Sequence, residues 1–341
     1  MNFEEDRNAL EALNLYLEKI PNLKAQQIVV YRAVNHAFLD RFSAEKLVCI
    51  QSFKPLSSRL SCFVSPYVAE TQDADIAIVI ATKNKRETFY HFACAYQNLK
   101  IGGQLICACE NDLGAASLQK HLNAFATELG VYSKRKSRVL SFVKTGNEAA
   151  GILTEWREKG DAKPILNTRY WGQPGIYGWN KIDAGSTLLI ESLQDEKICL
   201  KGRGADFGAG YGYLSSEILK QQNHIENIDL YEAEQKALDM AAKNLSHNNT
   251  HIKLYWADIT QLDAKKYDWI IMNPPFHSGK KSDFALGQAF IEKAAVCLNK
   301  NGMLYMVANR QLPYEKILDV CFSKVEQIVE TNVYKVIYAT K

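Results

Sequence analysis

The stretch ADFGAGYGYLSSEIL, residues 205–219, joins a short apolar run, three glycines at alternate positions and a helical spacing of apolar side chains. Gly208, Gly210 and Gly212 allow the backbone to adopt tight conformations and to come close to a ligand. A helix that begins after such a turn points its first amide groups at the same place. The stretch therefore predicts a strand, a glycine turn and a helix that together border a ligand site.

The sequence around this turn alternates between strand-like and helical runs. Strand-like runs lie at residues 227–233, 251–258, 267–273 and 302–309. Helical runs lie at residues 215–222, 234–245 and 286–298. This alternation is typical of a parallel, doubly wound sheet covered by helices on both faces. Residues 325–341 contain two further β-rich runs separated by Thr331 and Asn332, which predicts a terminal antiparallel hairpin.

The first half carries a fainter version of the same pattern. ADIAIVIATKNK (74–85) resembles YDWIIMNPPF (267–276), and residues 92–111 match residues 291–309 in helix, glycine turn and strand. The match is explained either by duplication of one α/β unit or by the order of elements that doubly wound domains share. No glycine lies between Leu47 and Leu60, so the first half is predicted to lack a cofactor site.

Length and composition agree with two domains. The chain has 341 residues with 47% hydrophobic content, enough for two cores. A segment rich in glycine, proline and aromatic residues runs from Lys159 to Gly185, and it predicts a boundary near Gly160. The expected domains are residues 1–159 and 160–341, both Rossmann-like, with the rest of the segment packed over the second.

Charge and cysteine content limit the classes of function. A formal net charge of +3 permits an RNA partner without requiring one. The eight cysteines are scattered and form no CxxC pair, so we expect reduced thiols, a cytoplasmic protein and no metal site. No apolar run approaches the roughly 20 residues of a membrane span, and the N-terminal residues do not have the pattern of an export signal.

Three acids follow successive strands of the predicted sheet. Asp206 lies in the glycine turn, Glu232 ends the next strand and Asp258 ends the one after. A carboxylate at the end of the second strand suits a ribose diol, and one at the end of the third suits an adenine amino group. An acidic row without a basic residue in the loop disfavours a phosphate-rich cofactor. It favours S-adenosyl-L-methionine, which carries a sulfonium, an amino group and no phosphate.

The stretch NPPF, residues 273–276, follows another predicted strand. Pro274 and Pro275 restrict the backbone, so Asn273 is held at the sheet edge beside the cofactor. Its side-chain oxygen and nearby carbonyls can accept hydrogen bonds from a planar NH2 group, and Phe276 offers a face for stacking a base. The four residues Asn273, Pro274, Pro275 and Phe276 are thus the predicted catalytic set for methylation of an amine.

These motifs resemble a known family. Motifs of class I S-adenosylmethionine-dependent methyltransferases are similar to four stretches of this chain: DFGAGYG, YEAE, WADI and NPPFHSG. The stretch NPPFH, together with VANRQLPY (307–314), resembles the bacterial ribosomal RNA guanine-N2 methyltransferases that act on the small subunit (16S). The resemblance implies a catalytic second domain and a degenerate methyltransferase-like first domain that supports RNA binding or folding. It further implies ribosomal RNA as partner, within the small subunit or an assembly intermediate, and a monomer.

The resemblance also assigns roles to residues. Asp206, Gly208 and Gly210 would line the methionine end of the cofactor, Glu232 the ribose and Asp258 the adenine. Asn273 to Phe276 would contact the guanine, with Asn273 also beside the cofactor. The segment IDAGSTLLI, residues 182–190, matches a family segment that closes over the cofactor and implicates Asp183 and Gly185. Tyr211 and Tyr213 depart from the family pattern, and such large side chains are expected to alter cofactor affinity.

Four alternatives stay open at this level. The NPP turn also occurs in methyltransferases that act on adenine N6 or on protein glutamine N5, and large-subunit guanine is a further substrate. A chain that kept the fold but lost activity would be an RNA-binding assembly protein. Intact acids and an intact NPPF turn argue against that last alternative.

Overall fold

The computed structural model describes residues 7–20, 27–67, 73–221, 224–248, 250–275 and 281–341. The chain forms two compact units, Met1–Asp161 and Ala162–Lys341.

The first unit contains the strands β1 (Ile28–Tyr31), β2 (Leu47–Ile50), β3 (Phe63–Ser65), β4 (Ala74–Ile80), β5 (Leu99–Glu110), β6 (Gly130–Lys134) and β7 (Ser137–Val143). Its helices are α1 (Arg7–Leu17), α2 (Lys54–Ser57), α3 (Lys85–Asn98), α4 (Ala115–Phe125) and α5 (Ala150–Gly160), with short 3-10 turns at Leu39–Arg41 and Ala44–Lys46. Asn84 begins α3 by accepting hydrogen bonds from the backbone of Arg86 and Glu87, as an N-cap residue does.

The second unit begins with the short strands β8 (Lys163–Pro164) and β9 (Trp171–Gly172). Its main sheet contains β10 (Gly202–Phe207), β11 (Ile225–Glu232), β12 (His251–Trp256), β13 (Tyr267–Met272), β14 (Leu298–Asn309), β15 (Lys324–Glu330) and β16 (Tyr334–Thr340). The helices are α6 (Ala184–Asp195), α7 (Tyr213–Gln221), α8 (Gln235–Leu245), α9 (Lys281–Cys297) and α10 (Glu315–Cys321), with a 3-10 turn at Ile259–Gln261.

The described strands of the two units have the same order in their sheets. The first sheet runs β3-β2-β1-β4-β5-β7-β6 and the second runs β12-β11-β10-β13-β14-β16-β15. In both sheets, the first five strands in this order pair in parallel with their neighbours, and the last two strand pairings are antiparallel. The predicted pair of doubly wound α/β domains and the C-terminal antiparallel hairpin are confirmed.

Each sheet has an apolar layer on both faces, which is why its central strands are apolar throughout. In the second unit, one face is packed by α9 and α10 through residues such as Ile291 and Leu318. The other face is packed by α6, α7 and α8 through residues such as Leu189, Ile218 and Ala241. The ends of the central strands are thereby held in one fixed row.

The segment that precedes α6 packs on the second unit. Ile165, Tyr170 and Ile176 form a buried cluster with Tyr211 and with residues of α8. The predicted packing of this segment is therefore observed. The Tyr213 hydroxyl lies 3.4 Å from Thr187 Oγ1 in α6. Both tyrosines of the glycine turn thus have packing partners in the protein.

Candidate functional site

The glycine turn connects β10 to α7. Gly208, Gly210 and Gly212 all have positive φ angles, of 75°, 55° and 81°. A side chain in this conformation is strained, which explains the three glycines. No atom of the described residues lies within 4 Å of the position that a Cβ of Gly210 would occupy, so the backbone faces open space among them.

Asp206 lies near the end of β10 and is fully buried. Its Oδ2 accepts a hydrogen bond of 2.6 Å from the Ser215 hydroxyl, and its Oδ1 has no partner among the described residues. Burial raises the pKa of Asp206 to about 7, although hydrogen bonds from Ser215 lower it and the carboxylate of Glu232 adds a small increase. A buried acceptor without a partner is costly unless a ligand supplies a donor.

The other two acids lie where the sequence predicts, on adjacent strands. Glu232 ends β11 and accepts backbone hydrogen bonds of 2.8 Å from both Gly210 and Glu234, so it braces the glycine turn. Burial raises its pKa above the ordinary value against those hydrogen bonds. Asp258 follows β12, and its Oδ1 accepts from the backbone and hydroxyl of Thr260 at 2.9 and 2.7 Å.

Asn273 follows β13 and is held by α6. Its Nδ2 donates hydrogen bonds of 2.8 Å to Asp183 Oδ2 and to Ser186 Oγ. Its Oδ1 is buried and has no partner among the described residues. Asp183 is the N-cap of α6 and accepts from the Ser186 backbone at 2.9 Å and from the Tyr177 hydroxyl at 2.7 Å. The amide oxygen of Asn273 is thus the group left for a ligand.

The rest of the predicted turn is only partly described. Pro274 is buried and Pro275 half-buried directly after β13, whereas Phe276 lies outside the described residues. Gly185 is buried in the first turn of α6. A Cβ there would come within 3.1 Å of Asp183 Oδ2 and of the Tyr334 ring, so a larger residue at this position would have to displace one of these side chains.

The two unpartnered acceptors of this site are Asp206 Oδ1 on β10 and Asn273 Oδ1 directly after the neighbouring strand β13. Within the pairing of β10 with β13, Asp206 is opposite Ile271 and Phe207 is opposite Met272, the residue before Asn273. Both acceptors are therefore at the carboxyl edge of the sheet, where doubly wound folds bind their ligands. A ligand with an ammonium group and a substrate with an NH2 group would satisfy them, which fits S-adenosyl-L-methionine and an amine.

Sequence reasoning missed the groups that orient these side chains. Ser186 and Tyr177 hold Asp183 and Asn273, and Ser215 holds Asp206. Only the spacing of Asp183 and Ser186, an N-cap followed three residues later by its backbone donor, was visible in the sequence. Tyr177 and Asp183 are six positions apart and Ser215 and Asp206 are nine apart, without a recognisable spacing, and Ser186 and Asn273 are 87 apart.

The matching edge of the first unit has different residues. Tyr31 pairs with Ile50 and Val79, as Phe207 pairs with Tyr231 and Met272. By this register Val30, Arg32, Gln51 and Ile80 stand at the positions of Asp206, Gly208, Glu232 and Asn273. The sequence prediction placed the missing glycine loop between Leu47 and Leu60, and this was wrong. The equivalent loop follows Tyr31, because β1 and not β2 has the place in the first sheet that β10 has in the second.

Protein side chains fill that edge. Arg32 has a φ of 60° and pairs with Glu87 at 3.9 Å, and both side chains are buried. Gln51 Nε2 donates to the carbonyl of Ala33 at 2.7 Å, and its Oε1 accepts from the backbone of Phe53 at 3.0 Å. Gln51 thus holds the loop after β1 by donating to the Ala33 carbonyl, whereas Glu232 holds the glycine turn by accepting from the Gly210 backbone.

Metal-binding clusters and membrane-spanning helices are both absent from the described residue ranges. No group of three or more metal-ligating side chains occurs in them. None of the helices in these ranges has the length and apolarity needed to cross a membrane.

A glycine turn, an acid at the end of each following strand and an Asn-Pro-Pro turn at the same sheet edge define a class I methyltransferase. Two family models match the chain: the methyltransferase small domain over residues 167–338 and the methyltransferase small domain N-terminal over residues 19–158. The chain belongs to this methyltransferase small domain family.

Named relatives are ribosomal RNA small subunit methyltransferases C. That of Psychromonas ingrahamii is 30% identical over 81% of this chain and 78% of its own. That of Shewanella halifaxensis is 31% identical over 77% of this chain and 76% of its own. A solved structure is also similar: the T. thermophilus 16S rRNA N2 G1207 methyltransferase (RsmC) in complex with AdoMet and guanosine. The TM-score is 0.79 at 20% identity, and the match covers 98% of this chain and 91% of that one. That likeness extends over both units and shows the fold.

Proposed function

We propose that this protein transfers a methyl group from S-adenosyl-L-methionine to the exocyclic N2 amine of a guanine in 16S ribosomal RNA. The observation that carries the proposal is a pair of buried acceptors without a protein partner among the described residues: Asp206 Oδ1 on β10 and Asn273 Oδ1 directly after the adjacent strand β13. One suits the amino group of the cofactor and the other suits the amine of the substrate. The names of the relatives supply the class of RNA.

Each side chain has a proposed task. Asp206 and the backbone at Gly208 and Gly210 bind the amino acid part of the cofactor, Glu232 binds its ribose and Asp258 its adenine. Thr260 engages Oδ1 of Asp258, so Oδ2 is the atom that we propose faces the adenine. Asp183 and Gly185 shape the wall of the site next to Asn273. When bound, the cofactor supplies a methyl group attached to a sulfonium sulfur, and the neutral thioether is a good leaving group.

Catalysis by the protein then consists mainly of positioning. The oxygen of Asn273 and the carbonyls of Asn273 and Pro274 accept the N–H groups of guanine N2, so that the nitrogen lone pair points to the methyl group. These contacts strengthen as the nitrogen becomes positively charged. Pro275 limits the freedom of the turn, and Phe276 offers the stacking face. The surplus proton leaves after transfer, so a strong general base is not required.

We assign the first unit a supporting role in RNA binding or folding, without a cofactor site. The replacement of Asp206, Gly208, Glu232 and Asn273 by Val30, Arg32, Gln51 and Ile80 supports this. We further propose that the enzyme acts as a cytoplasmic monomer on the small subunit or an assembly intermediate of it.

The test is methyl transfer by the full chain with labelled cofactor to naked 16S RNA, to small subunits and to total protein from a strain without the gene. Nuclease digestion and mass spectrometry identify the product. N2-methylguanosine in 16S RNA is expected, with higher yield from the particles. N6-methyladenosine or methylated glutamine would overturn the proposal, and so would the absence of transfer by a protein that binds S-adenosylhomocysteine.

A further inference from the structure

The Asn273 carboxamide can be placed in two ways that differ by exchange of its oxygen and nitrogen. Only one of them directs an acceptor at an incoming amine. The opposite placement directs an NH2 group at another NH2 group, and two donors do not bond. The orientation of this amide therefore decides whether the Asn273 side chain can accept a hydrogen bond from guanine N2.

We infer that Asp183 is the positioning residue that fixes this orientation, acting through Asn273 on the substrate amine. The inference rests on the proposed function for the identity of that amine. A carboxylate only accepts hydrogen bonds, so the group of Asn273 that lies 2.8 Å from Asp183 Oδ2 has to be the NH2. Exchange of the two atoms would bring an amide oxygen against a carboxylate oxygen.

The second neighbour cannot make this choice. Ser186 Oγ lies 2.8 Å from Asn273 Nδ2, and a hydroxyl accepts from an NH2 as readily as it donates to a carbonyl oxygen. Without Asp183, the amide is free to rotate so that Ser186 donates to its oxygen. That rotation would occupy the acceptor and present the NH2 to the substrate.

Asp183 is itself held from three sides. Its Oδ1 accepts from the Tyr177 hydroxyl, and its Oδ2 accepts from the Ser186 backbone as well as from Asn273. Both oxygens are thus engaged by protein donors. Since the backbone of α6 holds the carboxylate through the N-cap bond, the helix as a whole sets the direction of the amide on β13.

The inference is tested by single-turnover methyl transfer with Asp183→Ala, Asn273→Ala and the double variant. Asp183→Ala should slow transfer by roughly 10-fold to 100-fold, the range found when an orienting partner of an active group is removed. The affinity for S-adenosylhomocysteine should stay close to that of the wild type. Within the Asn273→Ala background, the same change should alter the rate by less than about twofold, because the group it orients is absent. Independent, multiplicative effects would overturn the inference.

Companion variants separate orientation from folding. Asp183→Ser keeps a side chain that can cap α6 but is shorter than the carboxylate, so it should be slow although folded. Asp183→Asn can place its oxygen toward Asn273 and its NH2 toward the Tyr177 hydroxyl, so it should recover most of the rate lost in Asp183→Ala. The exposed Asp195 at the end of the same helix is the matched control, and Asp195→Asn should leave the rate unchanged. Recovery by Asp183→Ser but not by Asp183→Asn would contradict the inference.

A measurement without substrate distinguishes this inference from the proposed function. In protein labelled with 15N-asparagine, the side-chain NH2 signal of Asn273 is identified by its loss in Asn273→Ala. That signal should shift in Asp183→Ala and stay unshifted in Asp195→Asn. If it does not move in Asp183→Ala, the inference is rejected whatever the enzyme methylates. If it moves but no N2-methylguanosine is formed by the wild type, the proposed function fails and the orienting contact stands.

Discussion

The buried carboxylate of Asp206 predicts that cofactor binding depends on pH. Its pKa of about 7 means that the cofactor-free protein holds this group protonated below pH 7 and ionised above it. The amino group of S-adenosylhomocysteine is a cation that favours the carboxylate form. Binding should therefore release a proton at neutral and lower pH, and affinity should increase as the pH rises through 7.

The size of the effect follows from the ionised fraction. With a pKa of about 7, that fraction is about 0.09 at pH 6 and about 0.9 at pH 8, and the apparent dissociation constant scales with its inverse. The constant should fall about tenfold between pH 6 and pH 8 and then level off. Glu232, whose pKa burial also raises, acts in the same direction.

Isothermal titration calorimetry of the full chain measures both quantities. Titrations in buffers with different ionisation enthalpies give the number of protons released at each pH. Asp206→Asn should bind more weakly and lose most of the pH dependence. Asp229→Asn removes another buried acid, which accepts from the hydroxyl of Tyr267 on β13, and should keep the pH dependence of the wild type. A wild-type constant that changes less than twofold from pH 6 to pH 8, without proton release, would refute the reasoning.

Three further predictions follow from the described contacts. Asn273→Ala should lower the single-turnover rate of methyl transfer by about 10²-fold to 10³-fold, and calorimetry should find an unchanged cofactor affinity. A wild-type rate in this variant would show that Asn273 does not assist the transfer. Gly204→Ala should lower the free energy of unfolding by about 1–3 kcal/mol in denaturant titration, because its Cβ would lie 2.0 Å from the buried Trp269 ring. Gly151→Ala is the control: its Cβ would meet open space among the described residues, so it should not destabilise the protein. Equilibrium dialysis should find one S-adenosylhomocysteine per chain, and two would show a site in the first unit.

The raised pKa of Asp206 also has a consequence for stability. In the folded protein it exceeds the ordinary value, so the folded state binds more protons than the unfolded state between about pH 4 and pH 7. The contribution of this group to stability therefore falls as the pH rises across that range. Asp206→Asn should be more stable than the wild type at pH 8 in the absence of cofactor, as measured by thermal unfolding, and equal stability would contradict this.

The fold and the row of acids could be predicted from the sequence because each depends on local pattern. Apolar runs mark strands that are buried on both faces, and an acid at the end of each run has to appear at one sheet edge. Contacts between distant residues leave no such pattern: Asp183 and Asn273 are 90 positions apart. The loop after Tyr31 was misplaced because Arg32 adopts a glycine-like φ of 60°, which no residue type in that stretch indicates.

The way in which Arg32 and Gln51 close the edge of the first unit limits protein engineering. Arg32→Gly alone would relax the backbone but remove the ion pair that Arg32 makes with the buried Glu87. Gln51→Glu alone would set a carboxylate against the carbonyl oxygen of Ala33, where the amide now donates. Neither change gives a cofactor contact until the other is present. Building a second cofactor site in this unit therefore demands several simultaneous substitutions, and a stepwise library selected for stability would discard each intermediate.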